Sequence, residues 1–305
     1  MTPTATNTVD PAAPGVVGRL VPWALRAAWA AAAVAAGPLF AAALDGWDTP
    51  ARTVAAAGLW AAWAAGMLAV LVPHPASLTA VRVVTPAAVA AAALAALQPE
   101  PGTAERLAGL VLTVVAAGVA FLPEIGAHFV NGPAYPNERR LPLRVPAPLL
   151  FGPVPLAWIV TAGGPVVAAL LLADGRWAAG AVATVLGGGG AIIGGRALHR
   201  LSRRWVVFVP AGLVLHDHMV LADPVLFERK VIESLHAAPV NTDSLDLTAN
   251  APGLPLELVL KEKVPMARVR PRQAPETGSS ARLLFSPTRP GEVLLEAARR
   301  RIPTG

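Results

Sequence analysis

The chain of 305 residues is 54% hydrophobic and only 14% charged, whereas a soluble globular domain carries roughly 25% charged residues. This composition excludes an ordinary soluble protein and predicts an integral membrane protein. The formal net charge of +6 comes from basic residues beside apolar runs, which is the pattern of membrane flanks and not of a nucleic-acid surface. The chain has no cysteine, so disulfides, thiol catalysis and cysteine-based metal sites are excluded.

The first 20 residues are small, polar and without periodicity, which predicts a disordered N-terminal tail over residues 1 to 20. The apolar run that follows has the length of a full membrane span and exceeds a signal-peptide core. We therefore expect the first span to be retained, with cleavage near Ala43 as the alternative.

Six apolar runs are long enough to cross a bilayer, and they predict a transmembrane domain of six helices over residues 21 to 200. The predicted spans are residues 21 to 44, 52 to 72, 78 to 97, 107 to 129, 147 to 173 and 177 to 198. In the sixth, Gly190 and Gly194 belong to a glycine-rich stretch that lacks the lysine of a phosphate-binding loop, which favours close helix packing or a flexible break in this span.

The arginines beside these spans predict the orientation of the chain in the membrane. Nine arginines lie beside the spans on the side of the membrane that holds both termini, and three lie on the opposite side. Because arginines are enriched in cytoplasmic connectors, this predicts an inner-membrane protein with both termini in the cytoplasm. The nine are Arg19, Arg82, Arg139, Arg140, Arg144, Arg196, Arg200, Arg203 and Arg204, and the three are Arg52, Arg106 and Arg176.

The long connector between the fourth and fifth spans carries the candidate polar cluster of this sequence. Its members are Glu124, His128, Arg139, Arg140 and Arg144. Glu124 and His128 are four residues apart and so share a helical face, inside the end of the fourth predicted span. The favoured interpretation is that Glu124 extends to the membrane interface or pairs with one of the three arginines. The alternatives are an ion or proton pathway and an intramembrane catalytic site.

After residue 203 the composition changes to that of a small soluble domain of about 100 residues, rich in short strands. The predicted strands are residues 205 to 209, 212 to 216, 224 to 230, 231 to 236, 244 to 248, 255 to 261 and 281 to 286. A C-terminal amphipathic helix follows, with Thr288 as its cap and Val293, Leu294, Ala297 and Ala298 as its apolar stripe.

Two further stretches of this domain are candidates for binding. His216 and His218 would lie on one face of a strand, but a zinc site needs a third ligand such as Glu233 or His236, and loop residues are the favoured interpretation. The basic stretch from residue 261 to 272 predicts a solvated hairpin arm, with contact to anionic lipid as the alternative.

The strands of residues 203 to 234 and the closing helix resemble the pleckstrin-homology-like (PH-like) domains of bacterial membrane proteins. The sequence around NGPAY and NERRLPLR resembles a group of uncharacterised multi-pass membrane proteins of high-GC actinobacteria. These resemblances imply a PH-like barrel used for lipid-headgroup or protein contacts. The usual basic cluster between the first two strands is replaced by Pro210 and Ala211, which argues against phosphoinositide recognition.

No catalytic, cofactor-binding or metal-binding motif is found in the sequence, and we expect a non-enzymatic protein without a cofactor. The favoured function is a scaffold, assembly factor or sensor that presents the PH-like domain at the bilayer. The first alternative is a transporter subunit that uses Glu124, and the second is an intramembrane enzyme. Candidate partners are the lipid bilayer, anionic headgroups, a partner protein and a second copy of the chain, but not nucleic acid.

Overall fold

A computed structural model describes residues 16 to 270 and 273 to 305. The predicted disorder of the tail therefore falls largely outside the described residues. The first helix begins at Val16, so the last residues of the predicted tail are helical instead.

The membrane part consists of eight helices among the described residues. In chain order they are α1 (Val16–Ala43), α2 (Thr49–Leu71), α3 (Pro75–Ala96), α4 (Thr103–Ala120), α5 (Pro123–Asn131), α6 (Ala147–Leu150), α7 (Pro153–Ala173) and α8 (Trp177–Leu201). Six segments are long and apolar enough to cross a membrane, with α6 and α7 together forming the fifth. The prediction of six spans is confirmed at this level.

The fourth span ends earlier than its apolar run suggested. Helix α4 stops at Ala120, and α5 starts afresh at Pro123. Proline has no N–H to donate and its ring clashes with the carbonyl of the preceding turn, so the helix breaks there. Placing Glu124 and His128 inside the fourth span was therefore wrong, because both lie on α5, after the break.

Glycine contacts join α7 to α8. A side-chain carbon built on Gly164 would lie 2.8 Å from the backbone oxygen of Gly187, and one built on Gly194 would lie 2.8 Å from that of Ala157. Only glycine permits backbones to approach this closely. The glycine-rich stretch thus lies in a helix and serves packing.

The C-terminal region contains two four-stranded sheets and a final helix. The strands are β1 (Arg139–Pro142), β2 (Trp205–Val209), β3 (Gly212–His216), β4 (Val225–Glu228), β5 (Ile232–Ala237), β6 (Leu245–Asp246), β7 (Leu256–Arg268) and β8 (Glu276–Phe285), followed by α9 (Pro290–Arg299). The orders are β1-β2-β3-β4 and β5-β7-β8-β6. The sheet-rich region is confirmed, but within the described residues its strands form two separate sheets and no closed barrel.

Strand β1 comes from the connector between the fourth and fifth spans, which the sequence did not predict. It pairs antiparallel with β2, from Arg139 opposite Phe208 to Pro142 opposite Trp205. Beyond it, the Leu143 N–H donates to the Arg204 carbonyl at 3.0 Å, and the Arg144 N–H donates to the Ser286 carbonyl at 2.8 Å. The connector therefore joins both sheets, and it contributes the side chains of Leu141 and Leu143 to their common core.

Strand β2 is buried on both faces. Val206 and Phe208 lie in the core between the sheets, while Trp205 and Val207 pack with side chains of the helical bundle, including Phe129 of α5. A strand that is covered on both faces has apolar residues at every position, which explains the sequence WVVFV. The sheet is thus seated directly on the bundle.

Helix α9 follows the predicted period, with Val293 and Ala297 fully buried. Its cap differs from the prediction. The capping residue is Arg289, while the Thr288 hydroxyl donates to the Pro142 carbonyl at 3.1 Å. Thr288 therefore attaches the start of α9 to the connector.

Candidate functional site at the junction of bundle and sheets

A buried ion pair lies where the last membrane helix enters the first sheet. Arg204 precedes β2, and its guanidinium donates to both carboxylate oxygens of Asp217 at 2.7 and 2.6 Å. The side chains are 2% and 0% exposed. Arg204 also donates to the Arg144 carbonyl at 2.7 Å, so one side chain joins the end of α8, the end of β3 and the connector.

This arrangement separates the residues that the sequence grouped as His216, Asp217 and His218. Asp217 points to Arg204, while the His216 ring stacks on Trp205 with ring centres 5.2 Å apart. His236, the suggested third ligand, lies elsewhere, 3.6 Å from Glu257. Among the described residues no three His, Asp or Glu side chains are grouped as metal ligands.

Arg140 lies on the bundle-facing side of the first sheet, opposite Val207. It donates to Glu138 at 2.9 Å, and this bond holds the pKa of Glu138 below its ordinary value. Its guanidinium lies 5.4 Å from the centre of the Trp205 ring. Together these side chains border a shallow depression of about 250 Å³, whose floor is formed by valines of β2 and β3.

The other two connector arginines have different neighbours. Arg139 begins β1 opposite Phe208. Arg144 donates to the carbonyls of Pro287 and Thr288 at 3.2 and 3.3 Å, just before α9. Arg140 thus pairs with Glu138 and Arg144 with backbone carbonyls, and the described contacts of Glu124 include no salt bridge with any of the three arginines.

Glu124 faces α9 instead. Its carboxylate lies 3.6 Å from Arg289, and Arg289 also pairs with Glu292 at 2.7 Å. The pairing hypothesis had the right chemistry but the wrong partner, which lies 165 positions away in the chain. Partly exposed pairs of this kind contribute little energy singly, but this one links the helical bundle to the last helix of the sheet region.

His128 lies one turn after Glu124 on the same face of α5. Its Nε2 is buried without a hydrogen-bond partner among the described residues. Burial and the nearby charge of Arg26 on α1 lower the pKa of His128 below its ordinary value. The neutral ring is therefore favoured in the folded protein.

A second buried carboxylate, Glu257 of β7, was not singled out in the sequence. It accepts hydrogen bonds from Thr242, at 2.8 Å, and from Ser244. Burial raises its pKa, but these two bonds and His236 outweigh burial, so the pKa of Glu257 lies below the ordinary value. The carboxylate thus ties the loop before β6 to the second sheet.

Comparisons of the chain with protein-family models, with curated proteins and with solved structures found no match.

The fold and the junction together define a class of protein. It is a multi-pass membrane protein with six apolar helices, followed by a sheet-rich region. One strand of that region, β1, is supplied by the connector between the fourth and fifth spans. The candidate functional site is the junction itself, formed by the ion pair of Arg204, the contacts of the connector and the link from Glu124 to Arg289.

The Arg204 ion pair yields a stability prediction. Arg204→Met or Asp217→Leu alone leaves a buried charge without its partner, and we expect each to cost about 3 to 5 kcal/mol. The double variant removes both charges and should be less destabilised than either single variant. Thermal unfolding of the purified full-length protein in detergent measures this. Glu228→Gln, which breaks an exposed pair with Lys230, is the control and should change little. Additive effects of the two buried substitutions would contradict a direct pair.

His128 yields a pH prediction. Because its pKa is lower in the folded than in the unfolded protein, the neutral ring contributes stability above the ordinary pKa of about 6.5. That contribution is lost as the pH falls through the folded-state pKa.

We therefore expect the melting temperature to fall between about pH 7.5 and about pH 5 by a larger amount in the wild type than in His128→Gln. Lys230→Gln is the control, since an exposed lysine keeps its charge throughout this pH range, and it should retain the wild-type dependence. Equal falls in the wild type and His128→Gln would refute this role of His128.

Proposed function

We propose that this protein is a membrane-embedded scaffold, assembly factor or sensor that holds a PH-like domain at the bilayer surface. The observation that supports it most is the shared strand β1. A domain on a flexible tether would need no strand from the bundle, whereas here β1 and the packing of β2 on the bundle fix its position. A fixed orientation is what a docking platform requires.

The PH-like assignment is supported by the order of the elements. The antiparallel meander of β2, β3 and β4, a second sheet and a C-terminal helix that packs Val293 and Ala297 into the shared core follow one another in the chain. We infer that the domain faces the cytoplasm and that the membrane is the cell membrane, because arginines predominate in the connectors at this end.

The β7–β8 hairpin is the surface that we propose for a partner protein. The predicted arm exists as this hairpin, although Met266 is buried and the arm is therefore only partly solvated. Arg268 and Arg270 are both paired with Glu276 at the tip. Lys261 and Lys263 are exposed and lack a salt bridge among the described residues. Their charge suits an acidic protein surface.

The position of Glu124 bears on the transporter alternative. A carboxylate in a transport path lies within the spans and faces a cavity, whereas Glu124 follows the fourth span and pairs with Arg289. We therefore assign Glu124 a role in joining α5 to α9.

The test compares partner recovery after chemical cross-linking in the membranes of the source cell. We expect defined proteins to be enriched with the tagged wild type and lost with Lys261→Glu/Lys263→Glu. Arg299→Glu, which reverses an exposed charge on α9 instead of on the hairpin, is the matched control and should retain them. Quantitative mass spectrometry of the recovered proteins is the measurement.

Two outcomes would contradict the proposal. One is recovery that does not differ between the wild type and the double variant. The other is solute or proton flux in proteoliposomes that Glu124→Gln abolishes while the melting temperature stays unchanged, because then the ionisable group itself would be required.

A further inference from the structure

Arg82 lies inside a membrane span. It is seven residues after the start of α3 at Pro75, which corresponds to about 10 Å along the helix. This end of α3 adjoins the sheet region, because the Thr79 hydroxyl donates to Ser202 at the end of α8 at 3.2 Å. Counting Arg82 with a connector was therefore wrong, and its charge lies among apolar helices.

The guanidinium of Arg82 has no anionic partner in the described part of the chain. None of the salt bridges there involves it, and its Nε is buried without a hydrogen-bond acceptor. The carboxylate nearest in sequence to the break, Glu124, pairs with Arg289. A charge at this depth is costly unless an anion or water reaches it.

Phe121 and Gly126 border the guanidinium of Arg82. It lies 5.5 Å from the centre of the Phe121 ring, at the break between α4 and α5. A side-chain carbon on Gly126 would lie 3.2 Å from its Nη2, so the missing side chain of Gly126 leaves room for it. Phe121 is 53% exposed on the outside of the bundle, where lipid would surround it.

We propose that Arg82 binds one phosphate group at the break between α4 and α5, beside Phe121 and Gly126. A guanidinium presents a planar pair of donors that fits phosphate oxygens. An arginine side chain in a helix leans toward the helix N-terminus and can extend its charged end toward the headgroup region. A phospholipid headgroup and a soluble phosphate share this chemistry, and the exposed Phe121 favours the lipid. This site goes beyond the proposed scaffold function and does not depend on it.

The experiment uses the full-length protein, purified in detergent and stripped of lipid. Its melting temperature is measured as phosphatidylglycerol, diacylglycerol with the same acyl chains, or inorganic phosphate is added. Diacylglycerol supplies the chains without the phosphate, and inorganic phosphate supplies the anion without the chains. The variants are Arg82→Gln and the matched control Arg196→Gln, which removes an exposed arginine at the same end of the bundle.

We expect phosphatidylglycerol to stabilise the wild type and Arg196→Gln more than diacylglycerol does. Arg82→Gln should bind phosphatidylglycerol about tenfold to a hundredfold more weakly, as expected for the loss of a charged hydrogen bond. Arg82→Lys keeps the charge but not the paired donors, and it should show a smaller loss. It also provides the comparison if Arg82→Gln does not fold.

Suppose that inorganic phosphate stabilises the wild type as much as phosphatidylglycerol does and loses this effect in Arg82→Gln. That result would support the phosphate site and overturn the lipid as the source of the phosphate. Equal stabilisation by phosphatidylglycerol and diacylglycerol would overturn the site altogether. The site would also be overturned if Arg82→Gln kept the wild-type response to phosphatidylglycerol. If Arg82→Gln does not fold, a wild-type response of Arg82→Lys would overturn it.

Discussion

Arg204 follows the last membrane helix by three residues, and a guanidinium withdrawn from water at that point needs an anion and further acceptors. Asp217 supplies the anion and the Arg144 carbonyl supplies the acceptor. The ion pair can form only if β3 has returned beside β2, and the remaining hydrogen bond of Arg204 can form only if the connector has also passed beside β2. The hairpin formed by α7 and α8, the first sheet and the connector are therefore joined through the side chain of Arg204.

The shared strand imposes a second constraint on the membrane part. β1 and β2 are adjacent in the sheet, yet α6, α7 and α8 lie between them in the chain. The helical hairpin must therefore leave the sheet at Pro142 and return to it at Trp205, which requires an even number of membrane crossings. The close glycine contacts between α7 and α8 suit such a hairpin, because they hold the two helices together along their length.

Patterns that repeat along the chain could be predicted from the sequence. Apolar runs of spanning length gave the six membrane helices, and short apolar segments between turn residues gave most of the strands and the last helix. Contacts between distant residues could not be predicted. β1 is four residues long, Arg-Arg-Leu-Pro, with no alternation to mark it. Asp217 looked like a member of a histidine group, and nothing near Glu124 in the sequence pointed to Arg289. Pro123 indicated a break after Ala120, but the apolar run continues past it and favoured a longer span.

The measurement that tests the central claim most directly asks whether the connector completes the sheet region. Residues 203 to 305 would be produced alone and, separately, with residues 137 to 146 fused ahead of them through a short flexible linker that replaces α6 to α8. Both proteins expose the same bundle-facing side of β2, so they differ in the connector. We expect cooperative unfolding of a mainly β protein with the connector and a markedly lower unfolding midpoint without it. In the fused protein, Leu141→Asp should abolish the gain, because Leu141 is buried in the common core. Equal midpoints with and without the connector would contradict the account.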